Sequence, residues 1–145
     1  MRLRALVLVL LGTYPAEGFD LTSVDPAIVE RLREAWRLAE RGQSNREVAV
    51  LVSREPGGDY SAEIRRDAGG FQTVTYTVHP GVVAIFHTHP NRTPPLPSTQ
   101  DRRNADLLGI PSFTLTSRGL WRYDPATREA SLVMPHLSWL KPDNW

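Results

Sequence analysis

The sequence predicts a single α+β domain, with one mixed β-sheet flanked by helices, and three observations point there. A chain of 145 residues, 41% of them hydrophobic, has room for one core and no second domain. Apolar residues recur at helical spacing in two stretches, one after Asp25 and one after Ser98. Short β-type runs fill the sequence between and after those stretches, punctuated by Gly and Pro turns. The order helix, strands, helix, strands belongs to a mixed α/β or α+β layer architecture.

At the N-terminus, Met1-Arg2-Leu3-Arg4 and the apolar run Ala5 to Gly12 have the form of a charged n-region and a short h-region. Ala16-Glu17-Gly18 supplies small residues for a cleavage site. Residues 1–18 therefore read as a signal peptide, which favours export and leaves 19–145 as the domain. The run is too short for a membrane-spanning helix, which needs about 20 residues. The competing expectation is that Leu6 to Leu11 forms a buried first strand.

Asp25 before Pro26 starts a helix, with a capping carboxylate and a proline where the missing N–H costs nothing. Ile28, Val29, Leu32, Ala35, Trp36 and Ala39 give it an apolar face, and Gly42 is the expected stop. Strands are expected over 47–53, 60–64, 71–78 and 82–87. Thr73, Thr75 and Thr77 alternate with Val74, Tyr76 and Val78, one face wet and one packed. Val82 to Phe86 is apolar on both faces and so reads as a central, buried strand. Asn91 to Pro97 holds three prolines and makes a stiff loop, followed by a helix over 98–108 that ends at Gly109 and Pro111. Strands over 112–116, 120–123 and 130–134 complete the sheet. His136 and the tryptophans of the tail are expected to pack on a core edge.

Composition removes several function classes. The net charge is +1, from 17 basic and 16 acidic residues, and among the basic ones only Lys141 is a lysine. Removal of residues 1–18 would take away Arg2, Arg4 and Glu17 and leave a neutral domain. Neither form has the electrostatic footprint of a nucleic-acid or anionic-membrane binder. The absence of cysteine excludes disulfides, thiolate zinc sites, iron–sulfur clusters and thiol catalysis. A metal can be held only by carboxylate and by the four histidines, at 79, 87, 89 and 136.

Two of these histidines end the central strand, in Phe86-His87-Thr88-His89-Pro90. Side chains at i and i+2 of a strand share a face, so both imidazoles project together, and neutral imidazole suits a divalent ion such as zinc. Ser98-Thr99-Gln100-Asp101 opens the following helix, and an Asp in that first turn can aim its carboxylate back across the loop. Two histidines and an Asp leave a fourth position open for water, the pattern of a catalytic zinc rather than a closed structural one. Ser98-x-x-Asp101 also matches a capping box, which has no chemical duty.

HTHP (87–90) followed by PSTQD (97–101) resembles the JAMM motif of MPN-plus metalloproteases: an upstream glutamate, H-[S/T]-H-P, about seven residues, then S-x-x-D. Glu47 to Val52, after an amphipathic helix, is similar to the family's E-x-x-G-x-L strand. The stretches 108–113 and 119–123 resemble compact bacterial JAMM-like domains, including those found beside polymorphic toxins. The resemblance spans roughly residues 25 to 134, and its specificity lies in HTHP and SxxD. The chain departs from the pattern twice. Eight residues, not seven, separate His89 from Ser98, and Val50 stands where the family often has a glycine beside the site, a change that would narrow the approach to the metal.

The resemblance implies a JAMM/MPN-like, cytidine-deaminase-like fold, with His87, His89 and Asp101 binding Zn2+ and water as the fourth ligand. It further implies that Glu47 is the general base and that Ser98 donates to the developing oxyanion. Glu55 and Glu63 are rival bases by proximity; Glu55 lies in a Glu55-Pro56-Gly57 turn. His79 precedes Pro80-Gly81 and reads as a surface or turn histidine. Arg92, Arg102 and Arg103 flank the site and could orient a substrate carboxylate or simply be surface charge.

The expected function is zinc-dependent hydrolysis of a peptide or isopeptide bond. Relatives act on ubiquitin-like conjugates, sulfur-carrier proteins or peptide tails, and an exported form would meet peptides, cell-envelope material or a toxin-associated partner. The alternative is a non-catalytic binding or scaffold module, with or without a stabilising metal. A DNA-associated role, as in relatives with a similar HxHP…PSxxD element, sits badly with the neutral charge. A zinc nucleoside deaminase is excluded because its P-C-x-x-C ligands cannot be built without cysteine.

Overall fold

The computed structural model describes the backbone of Val7–Val9, residues 25–66, 74 and 76–140. The first strand, β1 (Val7–Val9), lies within the stretch read as a leader; the rest of residues 1–18 lies outside the described residues.

Helix α1 (Pro26–Leu38) begins as expected: the Asp25 carboxylate accepts from the Ala27 N–H at 2.8 Å, and Pro26 occupies the first turn. It ends one turn before Gly42. Residues Glu40–Gly42 form a 3-10 turn in which Glu40, Arg41 and Gly42 all have positive φ. A docking contact holds this turn. Asn91, just after HTHP, donates its N–H to the Gly42 carbonyl at 2.7 Å and its side-chain amide to the Arg41 carbonyl at 3.2 Å. A Cβ at Gly42 would collide with the Asn91 side chain, so glycine is required there for closeness as well as for φ.

The remaining elements are β2 (Val48–Arg54), β3 (Tyr60–Arg66), β4 (Tyr76–Val78), β5 (Val82–Thr88), α2 (Thr99–Leu108), β6 (Ser112–Thr116), β7 (Gly119–Asp124) and β8 (Glu129–Met134). A 3-10 turn over Ser138–Leu140 follows. The fold is α+β, with a single six-stranded mixed sheet in the order β3-β2-β5-β6-β7-β8 flanked by helices, and a separate parallel pair of β1 with β4. The strand expected over 71–78 is seen as 76–78; residues 71–73 and 75 lie outside the described ones. Among the described residues no helix is long and apolar enough to cross a membrane.

Only β5 and β6 run parallel in the large sheet, and a parallel pair needs a crossover. The loop after His89 and helix α2 are that crossover. The chain therefore leaves the sheet at the carboxyl end of an interior strand, where open sheets form crevices. As its two apolar faces predict, β5 is buried along its whole length.

Side chains alternate between two layers. Val48, Val50 and Val52 of β2 and Ala84 and Phe86 of β5 pack under α1 against Ile28, Leu32 and Trp36. Phe86 stacks on Phe113 of β6 with ring centroids 4.4 Å apart. Ala49, Leu51 and Ile85 face the other way, toward Leu108 and Ile110 at the end of α2. Val50 is therefore in the α1 layer and does not narrow the approach to a site on the opposite face. In the tail Leu140 is buried, whereas His136 is exposed and bonds Ser138 rather than packing.

Thr88 locks the register that matters for the site. Its buried Oγ1 accepts from the Val48 N–H at 3.0 Å, tying the first residue of β2 to the last of β5. Thr88→Val keeps the shape and strands a buried N–H, so urea unfolding is expected to show a loss of about 1–3 kcal/mol. Thr88→Ser, which keeps the acceptor, should retain most of that stability; equal stability of Thr88→Val and the parent would overturn the assignment.

Candidate metal centre

Three separate segments deliver the site. Glu47 directly precedes β2, His87 lies near the end of β5 with His89 just beyond it, and Asp101 is in the first turn of α2. In the β2–β5 ladder Ala49 pairs with His87. Glu47, two residues before Ala49, is consequently on the same face as His87. All four side chains are buried, with exposures of 4% for Glu47, 4% for His87, 2% for His89 and 5% for Asp101.

The two Nε2 atoms of His87 and His89 are 3.0 Å apart. Asp101 Oδ2 lies 3.3 Å from His87 Nε2 and 3.8 Å from His89 Nε2. Donors held about 2.0–2.2 Å from a tetrahedral divalent ion lie about 3.3 Å from one another, so this spacing fits a shared ion. Ring orientation fits as well. His89 Nδ1 donates to the Pro94 carbonyl at 2.9 Å, which leaves its Nε2 as the lone-pair nitrogen. His87, His89 and Asp101 together are a group able to hold a metal ion, their donor atoms all lying within 4.8 Å of one another.

Glu47 stands outside that group. Its Oε1 is 4.0 Å from His89 Nε2 and has no hydrogen-bond partner although it is buried. A carboxylate oxygen left like this is costly unless something polar approaches it.

The electrostatics of the four groups are coupled. Burial opposes charge on His87, but the Asp101 carboxylate and its hydrogen bond, with Glu47, outweigh it and push the imidazole up to about 9. Burial pushes Glu47 up to about 8, against the pull of His87 and with help from Asp101. Burial likewise holds His89 below its ordinary value. Burial would raise Asp101, but the charge on His87, with hydrogen bonds from His87 and Ser98, holds it well below the usual carboxylate range.

Ser98 caps α2. Its Oγ accepts from the Asp101 N–H at 3.2 Å, and Asp101 Oδ2 accepts from the Ser98 N–H at 2.6 Å. The capping box is real, and the oxygen that closes it is the one facing both histidines. Ser98 and His89 also line a cleft of about 770 Å³ whose wall includes Thr93, Pro94 and Leu96.

The other candidates lie elsewhere. Glu55 is exposed and bonds the Ser61 hydroxyl, and Glu63 is paired with Arg65, so neither rivals Glu47. His79 is exposed in its turn, its Nδ1 bonded to the Pro80 carbonyl. Tyr76 is a further residue near the site. It is buried on β4, and burial together with the charges of Asp101 and Glu47 holds its phenol above the ordinary range. The alternation of 73–78 does place Tyr76 on the packed face, but nothing in it says which packed face meets the histidines.

Comparison of the chain with protein families, with curated proteins and with solved structures gives no match.

In metal-free protein, Glu47 and His87 each keep a proton when folded that they have lost when unfolded, so their contribution to stability falls with rising pH. The window runs from 4.5 to about 8 for Glu47 and from 6.5 to about 9 for His87. Thermal melts in chelator should drop in midpoint between about pH 6.5 and 9, and added zinc should remove that drop by taking over the role of the His87 proton. A midpoint in chelator that stays level across this range would count against the coupling.

Proposed function

We propose that this chain is a zinc-dependent hydrolase of peptide or isopeptide bonds, of the JAMM/MPN type. The observation that carries this is the partnerless Glu47 carboxylate oxygen beside a His87–His89–Asp101 group, of which His89 lines a cleft. The likeness of HTHP and PSTQD to the JAMM motif adds the reaction class, and a nitrogen and oxygen donor set without cysteine suits zinc.

His87, His89 and Asp101 would hold the ion. Bound zinc supplies Lewis-acid activation that makes water nucleophilic near neutral pH. Glu47 takes the proton of the attacking water and returns it to the leaving amine. Its burial suits both duties, because removal from water raises the affinity of the carboxylate for the proton it takes from water, and the leaving amine is the stronger base that takes it on. Ser98 uses its oxygen lone pair on the Asp101 N–H, which leaves its O–H to donate to the substrate carbonyl as negative charge develops. His89 stays in the ligand tautomer through the Pro94 carbonyl, and Asp101 keeps its charge through the Ser98 N–H.

The test combines metal analysis with turnover of an internally quenched peptide library. Glu47→Gln should retain about one zinc per chain while losing about 10²–10⁴-fold in rate, whereas His87→Ala should lose metal and activity together. Stoichiometric zinc with no turnover of any library member would reject the hydrolase and leave a metal-ordered binding module.

A further inference from the structure

We infer that the cleft selects substrates carrying a carboxylate close to the bond to be cut, and that Arg92 and Arg102 are the residues that select it; this rests on the hydrolase reading above. Both arginines line the cleft that opens onto His89 and Ser98, and no Asp or Glu is among its lining residues. The acidic groups of the site, Glu47 and Asp101, are buried behind that wall. A substrate in the cleft therefore meets two positive charges and no exposed negative one.

Arg102 is preset for this task. Its Nε donates to the Pro97 carbonyl at 3.1 Å, and its guanidinium lies over the Tyr123 ring, 5.7 Å from the centroid. One nitrogen and one face are thereby fixed, and the two terminal nitrogens form no ion pair among the described residues. A guanidinium held in one orientation presents a planar fork that matches a carboxylate. Arg92 is exposed on the other side of the loop and has no hydrogen bond or ion pair among the described residues. By contrast, Arg31, Arg33, Arg65 and Arg122 are each matched with a carboxylate of their own. Arg103 is exposed and does not line the cleft, so it has no part in the selection.

Pro94, Leu96 and Pro97 give the same cleft an apolar wall. An apolar wall with a charged fork fits a peptide segment better than it fits an inorganic anion. Two sources supply the carboxylate: an acidic side chain next to the scissile bond, or the free C-terminus of a chain cut near its end.

Binding is measured on zinc-loaded Glu47→Gln protein by fluorescence anisotropy, with three labelled hexapeptides of one sequence. One has an internal glutamate and an amidated end, one has glutamine there and an amidated end, and one has glutamine and a free C-terminal acid. At least one acidic probe should bind about tenfold more tightly than the neutral one, and which one does so assigns the source. The preference should shrink several-fold in Arg92→Gln and in Arg102→Gln, with zinc content unchanged, and it should weaken with added salt. Equal binding of the three peptides, or a preference that survives the Arg92→Gln/Arg102→Gln double variant, overturns the inference. Turnover by the parent protein separates the two ideas: a clear acid preference without any hydrolysis rejects the hydrolase alone, and hydrolysis without preference rejects the arginine selection alone.

Discussion

Two imidazoles and two carboxylates share one buried space, and their charges must sum to nearly nothing there. Isolated charges in such surroundings are prohibitively unfavourable unless paired or metal-bound. In the metal-free chain a proton on His87 balances Asp101, while Glu47 stays protonated and His89 neutral. A divalent cation, were it held by the group, would balance the same four side chains with both histidines neutral and both carboxylates ionised. The set is thus neutral in two ways, by protons or by metal. Much of the surrounding architecture serves to keep these groups together, with Thr88 fixing β2 against β5 and Asn91 fixing the loop against the end of α1.

Asp101 shows why a structural and a chemical reading of one motif need not compete. A capping box requires the N3 carboxylate to turn back toward the N-cap N–H. That turn is what aims Oδ2 at the histidines, 2.6 Å from the Ser98 nitrogen and 3.3 Å from His87 Nε2. Ser98-x-x-Asp101 read as a cap predicts the helix start, and read as a ligand set predicts the site, and both follow from one side-chain conformation. The extra residue between His89 and Ser98 is accommodated in the same economical way. The loop is proline-rich, and with its eight residues it still places the Pro94 carbonyl on His89 Nδ1.

What the sequence made legible was local. Asp25-Pro26, the buried run Val82 to Phe86, and the Ser98 start all depend on neighbours within a turn or a strand pair, and each lies where expected. What stayed hidden depends on distant partners. Helix α1 stops early where Glu40, Arg41 and Gly42 take positive φ, and that turn meets Asn91, about fifty residues on, which bonds the carbonyls of Arg41 and Gly42. Tyr76 nears the site through the placement of β4, which alternation alone cannot orient. The motif alone places Val50 beside the site, but strand parity sends it into the α1 layer with Leu32 and Phe86. The site itself was partly legible: spacing predicts the His87–His89 pair and the helix start predicts the reach of Asp101, whereas the approach of Glu47 required the β2–β5 register.

A motif of a few residues occurs in many unrelated chains, so the weight of the assignment falls on geometry that the motif does not contain. A closed structural centre satisfies its metal with four protein ligands. Here three donors converge within 4.8 Å, and the nearest further carboxylate, Glu47, stops 4.0 Å from His89 Nε2 with its oxygen buried and unbonded. Were Glu47 a fourth ligand, it would belong to the same tight set; were it merely structural, a buried carboxylate oxygen would have found a backbone N–H, as Asp101 has. Its place just outside the donors, with a raised proton affinity, suits a group that exchanges protons with something bound between it and the metal ligands. The proposed chemistry would therefore turn on the reach of one side chain set by the first residue before β2, and the Thr88 lock on Val48 would hold that reach constant.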